Sequence, residues 1–176
     1  MDGKGVGGKS FLITGPMAAG KTTVAHLLAK RFERGVHLEG DVFRRSIVSG
    51  RIDMSVTPSE EALDQLRLRY RLTAEAAREY AGRGFTVVAE DVVAGPLLEE
   101  YVGLFEDQPP QVVVLLPSLD AVIARERDRA QDGYDEWSVR EFYEGLVATT
   151  PRLGLWLDTS AQTPSETVDE ILRRTG

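Results

Sequence analysis

Residues Gly15 to Thr23 read GPMAAGKTT, fit the pattern G-x-x-x-x-G-K-[ST], and follow directly on the apolar run Phe11-Leu12-Ile13-Thr14. Few folds accommodate that arrangement. A strand must deliver the loop, the loop must curl its backbone N–H groups around an anion, and the helix beginning near Lys21 must aim its positive end at the same charge. Gly15 lets the chain turn sharply off the strand, and Gly20 removes the Cβ that would hold phosphate oxygens away from the backbone. Lys21 then reaches the β- and γ-phosphates of a nucleotide, and Thr22 offers a hydroxyl to a magnesium ion. The candidate nucleotide-binding set is therefore Gly15, Pro16, Met17, Ala18, Ala19, Gly20, Lys21, Thr22 and Thr23. The alternative, a glycine-rich turn that matches by chance, is disfavoured by the strand and helix signals on either side.

The rest of the chain alternates in the same way. Apolar strand signals at about 10–14, 36–38, 85–89, 112–116 and 154–157 are separated by helical patterns at about 21–32, 42–49, 59–83, 96–105, 120–130, 138–148 and 164–174. Strands rich in Val, Ile and Leu alternating with helices predict a parallel sheet covered on both faces. Residues 1–9 read as a flexible lead-in and 10–176 as one domain, with acceptor-binding helices at about 42–83 and a lid at about 125–137. At 176 residues, 42% hydrophobic and 28% charged, the chain has the composition of an ordinary globule. A net charge of −7 argues against broad nucleic-acid binding. The absence of cysteine excludes disulfides, thiol nucleophiles and thiolate metal sites. The polar start MDGKGVGGKS lacks the apolar core of a signal peptide, and Val112 to Leu116, the longest apolar run, is too short to cross a bilayer. A soluble protein of the cytoplasm is the expectation.

Ligands of such sheets collect at the carboxyl ends of the strands, so the polar residues there are the candidates. Glu39 and Asp41 end the second strand and share a side in extended geometry. Asp41 is placed to accept the proton of an attacking hydroxyl, or to cap the helix that follows. Glu39 is expected to hold a magnesium-bound water, and Arg44 and Arg45 to bind substrate, stabilise the base or form a solvated face. Glu90 and Asp91 end the third long strand on opposite sides. Asp91 is expected at the metal, from its shared phase with Ala89, and Glu90 toward substrate. In RERDR, Arg125 and Arg129 share a helix face and suit a closing lid over phosphoryl oxygens, with a salt-bridged exposed helix as the alternative. Thr159 and Ser160, in the loop after the last strand, suit contact with a nucleotide base or an N-cap cluster. His26 and His37 read as core or surface residues.

Taken together, GPMAAGKTT, LEGD, AEDVV, RERDR and WLDTS resemble the small phosphate-loop kinases, above all the chloramphenicol phosphotransferase-like group of antibiotic and natural-product kinases, with shikimate, gluconate and zeta-toxin kinases as more distant likenesses. The resemblance runs over about residues 10–174. It implies a P-loop NTPase fold of three layers, α/β/α, around a five-stranded parallel sheet, of the kind seen in nucleoside monophosphate and shikimate kinases. It implies a donor, ATP or GTP, used with Mg2+. It also implies phosphorylation of a small-molecule hydroxyl, with Asp41 as general base, Arg125 and Arg129 as lid arginines, Lys21 on the phosphates, and Glu90 and Asp91 as the strand-three acids. Two features depart from the pattern. Met17-Ala18-Ala19 replaces a serine- or glycine-rich loop centre, and the substrate arginines of shikimate kinases have no counterpart placed here. An antibiotic or other natural product is the acceptor class that the resemblance favours. A kinase of nucleotides, nucleotide sugars or central metabolites, and a non-catalytic nucleotide-dependent binding protein, are the rival readings.

Overall fold

The computed structural model describes residues 8–55, 57–106, 108–128 and 136–176. Five short strands form one parallel sheet: β1 (Ser10–Thr14), β2 (Gly35–Glu39), β3 (Thr86–Glu90), β4 (Gln111–Leu115) and β5 (Leu155–Leu157), in the order β2-β3-β1-β4-β5. Seven helices are described with them: α1 (Lys21–Ala29), α2 (Asp41–Arg45), α3 (Glu60–Ala81), α4 (Leu97–Gly103), α5 (Leu119–Arg127), α6 (Glu136–Thr149) and α7 (Pro164–Thr175). This is the α/β P-loop NTPase architecture expected from the sequence. The order places β1 between β3 and β4, so the loop after β1 opens at the centre of the carboxyl edge, where the chain's crossovers diverge to the two sides.

Strand alternation builds two cores. Leu12, Val87, Ala89, Val112 and Val114 face one way and pack with Leu66, Tyr70, Ala74 and Ala77 of α3 and Leu98 and Tyr101 of α4, where the Tyr70 and Tyr101 rings stack at 4.3 Å. Phe11, Ile13, Val88, Val113 and Leu115 face the other way and pack with Val24, Ala25 and Leu28 of α1 and Val168 and Ile171 of α7. The helix starts follow local chemistry. Ser59 caps α3 by accepting from the Ala62 N–H, Ser118 caps α5 through Ala121, and Thr163 with Glu166 forms a capping box on α7 behind Pro164.

Two helices are shorter than their periodicity suggests. α1 stops at Ala29, and Phe32 packs back on the core from a turn, its ring 5.9 Å from that of Phe11. α2 stops at Arg45, where the Ser46 hydroxyl bonds back to the Val42 carbonyl and the β-branched pair Ile47-Val48 and Gly50 follow. Of the lid expected at about 125–137, α5 carries the start and α6 the end, while Arg129 and the rest of 129–135 lie outside the described residues.

Candidate active site

Three residues with positive φ shape the loop after β1: Gly15 (144°), Ala18 (53°) and Gly20 (86°). At Gly15 a Cβ would also meet the Leu115 carbonyl oxygen at 2.2 Å, whereas around Gly20 nothing lies within 4 Å and the left-handed backbone alone calls for glycine. Gly20 is the N-cap of α1 and no side chain caps that end, so the first N–H groups of the helix remain as donors for an anion. Lys21 is buried and its Nζ donates to the Pro16 carbonyl at 2.8 Å, folding the ammonium back across the loop. Met17 packs against the cluster of Val122, Ile123 and Val139, so the residue that replaces the usual small loop centre ties the loop to α5 and α6.

The Thr22 hydroxyl donates to Glu90 Oε1 at 2.8 Å. This reverses the places expected for the two strand-three acids, Asp91 at the metal and Glu90 toward substrate. Glu90 shares the phase of Val88, which faces α1, while Ala89 and Asp91 face α3. Asp91 instead accepts from Arg69 Nη2 and from the Val92 N–H, each at 2.7 Å, and lies beneath Gly40, where a Cβ would meet its Oδ2 at 2.2 Å. Burial pushes the Asp91 carboxyl up, against the pull of Arg69 and the Val92 N–H. Burial likewise raises Glu90, opposed by the Thr22 hydrogen bond and by Lys21. Glu39 is the register partner of Glu90 across β2 and β3 and so stands on the same sheet face, its carboxylate paired with Arg45 at 3.1 Å. Thr22, Glu90 and Glu39 form an all-oxygen donor set, which suits magnesium. Among the described residues no cluster of three or more His, Cys, Asp or Glu is arranged to hold a metal by itself. A magnesium ion that takes one or two carboxylates and completes its shell with phosphate oxygens and water needs no such cluster.

Asp41 is the first residue of α2 rather than its cap, which is Gly40. Its carboxylate receives Arg44 Nε at 2.5 Å and Arg45 Nη1 at 2.9 Å, with Arg69 Nη1 at 3.7 Å. The hydrogen bond from Arg44, backed by the charges of Arg44, Arg45 and Arg69, holds it below the usual carboxylate range despite partial burial. It is thus ionised at neutral pH, the state a proton acceptor requires. Arg44 is shared with Asp53 at 2.7 Å, and Arg45 with Glu39. Arg69, which joins Asp41 to Asp91 from the middle of α3, was not singled out from the sequence. A signal existed: it lies three residues after buried Leu66 and four before buried Thr73, on the face that packs inward.

Beside Asp41 an apolar groove runs between α2, residues 50–54 and α3. Phe43, Ile47, Ile52, Met54, Leu68 and Leu72 line it, with Arg44 and Arg69 at the Asp41 end. Gln65 fixes its rim, accepting from the Ile52 N–H at 2.9 Å and donating to the Gly50 carbonyl at 2.8 Å.

At the opposite side of the phosphate loop, Arg125 on the last turn of α5 reaches the Thr159 carbonyl at 3.4 Å. Thr159 is buried with its hydroxyl unpartnered among the described residues, and Ser160 accepts from the Ser118 N–H at 2.7 Å and bonds to Asp158. The loop is therefore tied to the start of α5, and α7 is capped from Thr163 rather than from the 158–160 cluster. His26 is exposed on α1 with its ring edge-on to half-buried His37, in keeping with surface and core roles.

Residues 11–142 match the profile of a family described as AAA domain, three quarters of the chain. The chain belongs to that family. Its members' loop, strand order and strand-end acids are thus the frame in which the geometry above is read. Among solved structures, this AAA domain chain is similar to a tunicamycin resistance protein of Deinococcus radiodurans, at 18% identity, 96% coverage of both chains and a TM-score of 0.72. It is also similar to a gluconokinase of Sinorhizobium meliloti, at 18% identity, 96% and 91% coverage and a TM-score of 0.69. A third likeness is to a shikimate kinase of Acinetobacter baumannii solved with shikimate, at 20% identity, 96% and 93% coverage and a TM-score of 0.61. These likenesses establish a shared P-loop kinase fold over nearly the whole chain. No curated protein matches it, and no described helix is long and apolar enough to cross a membrane.

Proposed function

We propose that the chain is a phosphotransferase that moves the γ-phosphoryl group of ATP or GTP to a hydroxyl of a small molecule. The observation that carries this reading is the placement of Asp41, an ionised carboxylate at the mouth of an apolar groove and on the same carboxyl edge as the phosphate loop. The uncapped start of α1 and Lys21 bind the nucleotide phosphates, with Lys21 exchanging the Pro16 carbonyl for phosphate oxygen. Thr22 and Glu90, with Glu39 beside them, would hold magnesium, which when bound neutralises charge on the β- and γ-phosphates. Asp41 orients the acceptor hydroxyl and takes its proton. The acceptor oxygen forms the new bond to the γ-phosphorus, the bond from that phosphorus to the β–γ bridging oxygen breaks, and the nucleoside diphosphate leaves. Arg125, at the loop of Thr159 and Ser160, closes over the phosphates, and Arg129 is proposed as its partner.

An antibiotic or other natural product is the acceptor class we favour, so that phosphorylation inactivates it and confers resistance. The motif resemblance supports this, as does the presence of a tunicamycin resistance protein among the similar folds. A metabolite kinase is the second reading, supported by the gluconokinase and shikimate kinase. We place the enzyme in the cytoplasm, on its lack of cysteine and of an apolar leader. The test is incubation with ATP or GTP and magnesium against a panel of hydroxyl-bearing antibiotics and metabolites. Mass spectrometry should find a gain of one phosphoryl group on an acceptor, lost in Lys21→Met; nucleotide binding with no phosphorylated product across the panel would refute the reading.

A further inference from the structure

The groove beside Asp41 is rich in arginine at one end, which at first sight suits an anionic acceptor. The pairing says otherwise. Arg44 is held by Asp41 and Asp53, Arg45 by Glu39 and Asp41, Arg51 by Asp53, and Arg69 by Asp91 with Asp41 at 3.7 Å. Four arginines thus meet four carboxylates of this chain. The Arg69–Asp91 pair is the most protected, with side chains 12% and 4% exposed. An incoming carboxylate or phosphate would have to draw a guanidinium from its partner and leave a carboxylate uncompensated next to apolar walls, which is strongly unfavourable for a buried pair. The amide of Gln65 is already committed at both ends to the backbone of Gly50 and Ile52. Beyond the Asp41 end the walls are hydrocarbon, and Met54 and Leu68 on the rim are 41% and 40% exposed, large apolar surfaces that a bound molecule would cover.

We infer that the groove takes an electrically neutral molecule with an extended apolar body, seated on Leu68, Met54, Ile47 and Phe43 with a hydroxyl directed to Asp41, and rejects anions. The inference rests on the phosphotransferase reading of Asp41 and narrows its acceptor class, setting it apart from hydroxy acids and phosphorylated metabolites.

The probes are the neutral apolar dye N-phenylnaphthylamine, whose fluorescence reports binding to the full chain, and three competitors. Decanediol is neutral with an apolar body, hydroxydecanoate carries the same body with a carboxylate, and glycerol is neutral without one. Decanediol should displace the dye, with hydroxydecanoate and glycerol far weaker. Leu68→Asp should weaken dye and decanediol about tenfold, the loss of one buried leucine contact, while Val48→Asp, at a fully exposed site outside the groove, leaves both unchanged. Both variants alter exposed positions, and nucleotide binding reports that each is folded. Hydroxydecanoate binding as tightly as decanediol, or dye binding untouched by Leu68→Asp, would overturn the inference. The two readings fail separately. Decanediol binding that depends on Leu68, with no phosphorylated product from any hydroxyl compound, sinks the phosphotransferase reading and upholds the groove's preference. Phosphoryl transfer that favours anionic acceptors does the reverse.

Discussion

Replacing Asp41 by Asn keeps the shape of the side chain and removes its charge and its capacity to take a proton. General-base assistance contributes roughly a hundred- to ten-thousandfold to rate, so kcat should fall by that factor, about 3 to 5 kcal/mol of barrier. The structural cost is much smaller. Asp41 and Arg44 are each about one-third exposed, and Arg44 and Arg45 retain Asp53 and Glu39. Solvent screening holds such a pair to less than about 1 kcal/mol of stability. Activity and folding therefore separate by several kcal/mol, and the assay is kcat for acceptor phosphorylation beside a thermal unfolding curve and nucleotide affinity for the same variant. The pH profile adds a second check. Arg44 depresses the Asp41 carboxyl, so the ionised form, and the stability it contributes, is fully present above the ordinary Asp value of about 4 and is lost as pH falls through the lower folded value. Between pH 5 and 8 Asp41 should impose no acid limb on kcat. An Asn variant with near-normal kcat, or one whose activity loss is matched by loss of folding, would refute the role given to Asp41.

The two strand-three acids should behave oppositely. Glu90→Gln should fold normally and raise the magnesium concentration needed for half-maximal turnover, whereas Asp91→Ala strands Arg69 and should cost about 3 to 5 kcal/mol of stability in denaturant titration, with little change in magnesium dependence; the reverse pattern would restore Asp91 to the metal. Gly15→Ala places a Cβ 2.2 Å from a backbone carbonyl at a φ of 144°, so the strained backbone costs about 1 to 3 kcal/mol before the clash is counted, and both melting temperature and nucleotide affinity should drop. Met17→Ser removes the apolar contact that ties the loop to α5 and α6 and should lower that region's protection in hydrogen exchange while β1 and β3 stay protected.

What the sequence disclosed and what it hid divide along local and non-local lines. The phosphate loop was legible because its motif, the strand before it and the helix after it are contiguous, and the chemistry at Gly15, Lys21 and Thr22 depends on neighbours a few residues away. The element series was legible for the same reason, from Val- and Ile-rich runs and capping residues such as Ser59 and Thr163. The facing of Glu90 and Asp91 was not, because alternation within Thr86–Glu90 gives two phases and only the packing of Val88 on α1 and Ala89 on α3 selects one. Arg69 escaped notice since its partners stand 22 and 28 positions away. The arginines around Asp41 could be read as substrate ligands until their acids were seen to be internal, a matter of tertiary pairing that no spacing encodes.

The most direct test of the whole account follows a labelled phosphate. ATP and GTP, each radiolabelled at the γ-position, are mixed with magnesium, the protein and a neutral hydroxyl acceptor, and the label is traced in the wild-type chain and in Asp41→Asn. The account predicts label on the acceptor hydroxyl with wild type and its near absence with the variant at undiminished nucleotide affinity. Label that stays on the nucleotide, or appears as free phosphate at a rate no acceptor alters, would contradict it.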